Sequence, residues 1–189
     1  GTTFSRTVLP PMFLAYFDVL VDPRNGDVYA IGDNPTIHFT VSRDSGATFS
    51  PVETVPDEYG VFYSDYSIGQ LGSIIVAGGM DEVQASLWNL DTNEWTSVPT
   101  GGVTRSNGTS AAIDGADVIH ILNLSEPAAF QSGVILSTST DNGATYSTRQ
   151  VAEGTQADIA PSPFVVGAPL IYNDAGTIKY GFYPNDSPR

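Results

Sequence analysis

Two carboxylates stand out by their company. Asp18 ends Tyr16-Phe17-Asp18 and Asp65 ends Tyr63-Ser64-Asp65, so each acid follows a tyrosine by two residues. Both acids also sit on the first strand of a repeated strand unit, the strand that would line the channel at the centre of a ring of such units. Tyr16, Asp18, Tyr63 and Asp65 are therefore the candidates for a ligand or cation site, and two carboxyl groups flanking one bond are also what a glycosidase needs. Acids that are merely solvated or bonded to backbone would look the same, and both readings stay open. Other chemistries lack their residues. His38 and His120 stand apart and make no zinc site. His120, inside Val118-Ile119-His120-Ile121-Leu122, reads as a core residue with a hydrogen-bond partner, in the unit position of Ala30, Val76 and Ile171. No cysteine is present, and neither a Ser-His-Asp grouping nor a glycine-rich phosphate loop occurs. Three Asn-x-Ser/Thr sequons begin at Asn107, Asn123 and Asn185.

A second set of acids recurs in turns. Residues 42–50 read Ser-Arg-Asp-Ser-Gly-Ala-Thr-Phe-Ser, and residues 139–147 read Ser-Thr-Asp-Asn-Gly-Ala-Thr-Tyr-Ser. A shorter relative, Asn-Leu-Asp-Thr-Asn-Glu-Trp-Thr-Ser, occupies 89–97, and Gly1-Thr2-Thr3-Phe4-Ser5 matches the second half of the motif. The motif aromatics Phe4, Phe49, Trp95 and Tyr146 lie 45, 46 and 51 residues apart. A period of this length is that of propeller blades.

The elements that must carry these residues are short strands. Unit one offers strands at 15–21, 27–32, 37–42 and 48–55, with the Asn25-Gly26 hairpin signal between the first two. Unit two offers 61–68, 73–78, 85–90 and 94–98; unit three 109–113, 117–122, 133–138 and 145–151; unit four 163–166, 169–172 and 177–183. The fourth strand of the last unit is then expected from 2–9, closing a ring. Helical periodicity with caps is absent. The expected fold is all-β: a β-propeller of about four blades, or an arc of a larger one, with four antiparallel strands per blade. The units run roughly 10–56, 57–103, 104–152 and 153–189 plus 1–9.

The pattern Ser-x-Asp-x-Gly-x-Thr-Phe/Tyr resembles the Asp-box, or BNR repeat, of sialidases and other β-propellers. It is complete at Ser42–Phe49 and Ser139–Tyr146, degenerate at Asp91–Trp95 and half present at Gly1–Phe4. The resemblance implies a turn joining the third and fourth strands of a blade. Gly46 and Gly143 would take positive φ, Asp44 and Asp141 would accept backbone N–H bonds, and Phe49, Trp95 and Tyr146 would tuck between blades. Asp44, Gly46, Phe49, Asp91, Trp95, Asp141, Gly143 and Tyr146 are thus expected to be structural. A calcium ion at the boxes is the one cofactor left open, and one carboxylate per turn is thin for a metal needing six to eight oxygens. A sialidase would further need an arginine cluster, a Tyr–Glu nucleophile pair, an acid/base Asp and an Arg-Ile-Pro signature. That signature is absent, and Arg24, Arg43 and Arg149 fall in or beside turns. No catalytic residue carries over.

Charge narrows the partners. With 7 basic and 21 acidic residues the net charge is −14, which repels nucleic acid and anionic membrane surfaces. No segment approaches the ~20 apolar residues of a membrane span. The chain is expected to be a non-catalytic recognition or assembly module of a secreted, cell-surface or virion protein, contacting glycans or proteins through its loops. Its ends suggest a domain of a longer chain, and a homo-oligomer is open. The alternative is a sialidase-like glycoside hydrolase with part of its site elsewhere.

Overall fold

The computed structural model describes residues 6–11, 16–33, 36–54, 65–78, 82–103, 109–125, 133–154, 156–160 and 166–183. Among them every regular element is a strand. The first sheet holds β1 (Tyr16–Val21), β2 (Val28–Asp33), β3 (Ile37–Ser42) and β4 (Glu53–Thr54), in that order. The second holds β5 (Asp65–Ile68), β6 (Ser73–Gly78), β7 (Glu82–Asn89) and β8 (Glu94–Val103). The third holds β9 (Thr109–Ile113), β10 (Ile119–Ser125), β11 (Gly133–Ser139) and β12 (Ser147–Glu153). In the fourth, β13 (Gln156–Ile159), β14 (Ala168–Asp174) and β15 (Thr177–Tyr183) are described. All pairings are antiparallel. The four sheets are arranged as the blades of a β-propeller, with the first strands β1, β5, β9 and β13 side by side in sequence.

The core lies between blades, because a blade sheet has two apolar faces and each must be covered. Tyr29, Ile31 and Phe39 of blade one meet Tyr66, Ile74 and Trp88 of blade two. Ile75, Ala85 and Leu87 of blade two meet Ala111, Ile119 and Ile121 of blade three. Leu122, Val134 and Leu136 of blade three meet Ile159 and Leu170 of blade four. In β6, Ile74 and Val76 therefore face one neighbour while Ile75 and Ala77 face the other, and the whole strand is buried.

Several expected strands shift. The strand expected at 48–55 shrinks to β4. Ser50 N–H reaches Val41 O at 2.9 Å, its hydroxyl is taken up by Thr40 and Val41, and Pro51 has no N–H to donate to a ladder. Unit four begins at Gln156–Ile159 rather than at 163–166, and residues 161–165 lie outside the described residues. Of the expected closing strand at 2–9, residues 1–5 also lie outside, and Arg6–Leu9 form no strand. β8 runs on through Pro99 to Val103, tolerable because β8 is the outer edge of its sheet, with a register shift opposite Glu82 and Gln84. His120 pairs with Ala112, which gives it the blade position of Tyr29, Ile75 and Pro169, one residue before the expected Ala30 and Val76 and two before the expected Ile171.

Candidate functional site

In an antiparallel meander, the turns after first and third strands share one end of the blade. The links after second and fourth strands share the other. The two Ser-x-Asp-x-Gly-x-Thr turns belong to the first end. In each, the Ser hydroxyl donates to the Asp carboxylate (2.7 Å at Ser42, 2.8 Å at Ser139) and accepts the Gly N–H (2.8 Å at Gly46, 2.9 Å at Gly143). The Thr N–H and hydroxyl of Thr48 and Thr145 both donate to the same carboxylates. Led by the Thr hydroxyl, then the Thr N–H and the Ser hydroxyl, these bonds lower Asp44 and Asp141 to about 2. Gly46 and Gly143 have φ of 87° and 80°, and Ser45 and Asn142, unforeseen, precede them at 58° and 55°. Tyr146 packs on the interface between blades two and three. Trp95 packs on that between blades one and two and stacks on Trp88 at 5.3 Å. Phe49 is half-buried.

The degenerate copy works differently. Asn89 Oδ1 accepts the N–H groups of Asp91 and Thr92, and Asn93 takes φ 58° where glycine stands elsewhere. The Asp91 carboxylate points across to blade one, where Arg24 binds it at 2.9 Å while also gripping the buried Asp22 at 2.8 Å. Asp91 is thus an inter-blade anchor rather than the holder of its own turn. Arg24 and Arg43 make their described ion pairs at this end of the molecule.

The axial strands carry the other polar set. Asp18, Asp65, Ser110 and Asp158 occupy one register, opposite Ile31, Ala77, Leu122 and Ile171 of the adjoining strands. The sequence pointed to the first two, and Tyr63 and the side chain of Tyr16 lie outside what is described. Each of the three aspartates accepts the N–H of the residue after it, Val19, Tyr66 or Ile159. Asp65 Oδ2 also reaches into blade three, accepting Ala111 N–H at 2.8 Å and meeting Ser110 Oγ at 2.9 Å. Ser110 Oγ in turn lies 2.7 Å from Asp158 Oδ1 and accepts Ile159 N–H at 3.3 Å. A hydroxyl has one proton. The Ser110 hydroxyl can therefore donate to only one of the two carboxylates at a time. Burial pushes Asp65 up, against the bonds from Ala111, Ser110 and Tyr66, and the charge of Asp158 adds to the rise. Asp65 is half-buried, Ser110 is buried and Asp158 is exposed. The chain therefore runs from the packed interface of blades two and three out to solvent.

Beside it lie polar atoms that no motif announced. Thr109 and Asn123 face each other across β9 and β10, and both are buried. Thr109 Oγ1 and both amide atoms of Asn123 have no hydrogen-bond partner among the described residues. By strand parity they share the face of Ala111 and Ile121 that packs on blade two. Buried polar atoms left unsatisfied are costly, which marks a place for water or a polar ligand group. The same burial closes the Asn123 sequon. His120 is a core residue as expected, its Nε2 3.2 Å from Asp114 Oδ2 and both side chains 2% exposed. Asp114 also accepts Gly167 N–H of blade four at 2.6 Å. His38 Nδ1 meets Thr54 Oγ1. Among the described residues no three acid or histidine side chains are grouped as metal ligands, and no helix is long and apolar enough to cross a membrane.

No protein-family model matches this chain, and no curated protein matches it. Solved structures do. The chain is similar to a family 117 glycoside hydrolase of the marine bacterium Zobellia galactanivorans, at 13% identity and TM-score 0.51, over 86% of this chain and 64% of that one. It is similar to a protein of unknown function from Dyadobacter fermentans, at 13% identity and TM-score 0.59, over 88% and 59%. A point variant of Synechocystis apocarotenoid oxygenase aligns at 10% identity and TM-score 0.50, over 89% and 50%. The shared fold is what these likenesses carry. The chain spans between half and two thirds of the length of these neighbours.

Proposed function

We propose that this chain is a recognition module, a β-propeller of Asp-box type that binds a hydroxyl-rich ligand, by chemical class a glycan, without transforming it. The observation that carries this reading is the Asp65–Ser110–Asp158 chain on the axial strands, with the unsatisfied Thr109 and Asn123 beside it. Sugar hydroxyls both donate and accept, so they match carboxylates that want donors and an amide that wants both. A net charge of −14 favours neutral or cationic sugars over anionic ones. Asp65 and Ser110 are also tied to the backbone of the next blade, a scaffolding use that suits a binder better than a catalyst. A secreted, surface or virion setting belongs to the same proposal. A glycan array probes the claim: binding of at least one neutral glycan is expected, weakened tenfold or more by Asp158→Asn. An array with no bound sugar contradicts it.

The second reading is a sialidase-like glycoside hydrolase. One observation favours it: Asp65, whose carboxyl is pushed up by burial, is linked through Ser110 to the exposed carboxylate of Asp158, and two such unlike carboxyl groups are what general acid and base catalysis uses. A panel of fluorogenic glycosides separates the two readings. Turnover that is lost in both Asp65→Asn and Asp158→Asn would make the chain an enzyme.

A further inference from the structure

Each described interface between blades joins two unlike faces: the rear face of one blade and the front face of the next. The front face of blade one and the rear face of blade four have no such partner among the described residues. On β1, Phe17, Val19 and Val21 point outward, Phe17 at 70% exposure and the other two at 53%. Val19 and Val21 hold the blade positions of Tyr66 and Ile68, which are 2% and 7% exposed. On blade four, Ile171, Ile178, Tyr180 and Phe182 are exposed, Tyr180 at 73%. Ile171 holds the blade position of the fully buried Ile31. These are sheet faces patterned for burial and left open, well beyond scattered surface apolar residues.

We propose that the open face of blade one binds the open face of blade four on a second copy of this chain, so that two chains related by a twofold axis form one ring. Three features select a second copy. Each chain has one face of each kind, so a twofold pairing covers all four open faces with two equivalent contacts and leaves no growing end. The contact continues the interface already used between blades, with Val19 meeting Ile171 of the other copy as Tyr66 meets Ile31 within the chain. The axial bonding continues too. Asp65 takes Ala111 N–H of the next blade and Ser110 takes Ile159 N–H of the next. Asp158, in the same register, then faces Val19 N–H of β1 on the second copy.

The chain has no cysteine, so introduced thiols are the only ones present. The Val19→Cys/Ile171→Cys double variant, oxidised at low protein concentration, should give a reducible covalent dimer, and the unmodified protein should sediment at twice the chain mass. Val19→Asp and Tyr180→Asp replace residues exposed within one chain, so the fold is kept, as circular dichroism can verify. Each should weaken association at least tenfold. Because each copy carries −14, the dimer fraction should rise with salt. A disulfide formed inside a monomer would mean that the ring closes within one chain and overturns the proposal. So does a protein that sediments as a monomer at every concentration, or charge variants that associate like the parent.

Discussion

Ser139→Ala and Ser42→Ala delete the same atom from two turns with nearly identical bonds, which isolates the effect of burial. Each variant loses the bond to its carboxylate and the acceptor for a glycine N–H. Gly143 is buried beneath Tyr146, Leu87 and Ile119, so its N–H loses its acceptor where water does not reach. Gly46 is only half-buried and an added Cβ there meets nothing within 4 Å, so water can replace the lost acceptor. A net hydrogen bond is worth about 1 kcal/mol, and a buried unsatisfied donor costs about 1–3 kcal/mol. Ser139→Ala should therefore cost about 2–3 kcal/mol and Ser42→Ala about 1 kcal/mol. For a domain of this size these correspond to roughly 5–10 °C and roughly 2–4 °C in Tm. Urea and thermal unfolding followed by circular dichroism measure both. Equal losses in the two variants, or a larger loss at Ser42, would refute the claim that burial of the glycine N–H sets the cost.

Three other outcomes follow from the same geometry. At Gly72, with φ +78°, an added Cβ would sit 2.0 Å from Arg24 Nη1, so Gly72→Ala should displace Arg24 from Asp22 and Asp91 and cost roughly 3 kcal/mol, read as a fall in the urea midpoint. Asp44 and Asp141 are held at about 2 against an ordinary 3.8, so their stabilisation is full above about pH 4 and is lost as pH falls through 2; Asp65 is raised, so its ionisation costs stability as pH rises from 3.8 through its folded value. Urea midpoints from pH 2 to 7 should show Asp44→Asn/Asp141→Asn flattening the acid limb and Asp65→Asn removing the decline above it. Both tryptophans lie in the interface of blades one and two, and Phe39 packs on Trp88 at 4.3 Å, so Phe39→Ala should cost roughly 3–5 kcal/mol and shift the emission spectrum, whereas Leu136→Ala in the next-but-one interface should destabilise without that spectral change.

What the sequence disclosed follows from how local each interaction is. The complete turns were legible because Ser, Asp, Gly and Thr bond one another within five residues. The copy at 89–97 was legible as a turn but not as an anchor, since Arg24, the partner of Asp91, stands 67 positions away. Asp18 and Asp65 announced the axial register through their tyrosines. Ser110 hid because a serine replaces the acid, and Asp158 hid because Gln156–Ile159 has only one β-branched residue. Asn123 read only as the start of a sequon, and the register of β10 against β9 places it in the core. The open end faces were invisible in principle: alternating apolar residues look the same whether or not a neighbour covers them.

The central claim is that the axial polar set recognises a ligand while the turn acids hold the fold. Titrating the strongest glycan from an array into the parent, Asp158→Asn, Asp18→Asn and the folded Ser42→Ala variant tests it most directly. Tenfold or greater loss of affinity is expected in Asp158→Asn, a smaller loss in Asp18→Asn, and unchanged affinity in Ser42→Ala. Normal binding by both axial variants together with lost binding in folded Ser42→Ala would contradict the account and move the site to the turns.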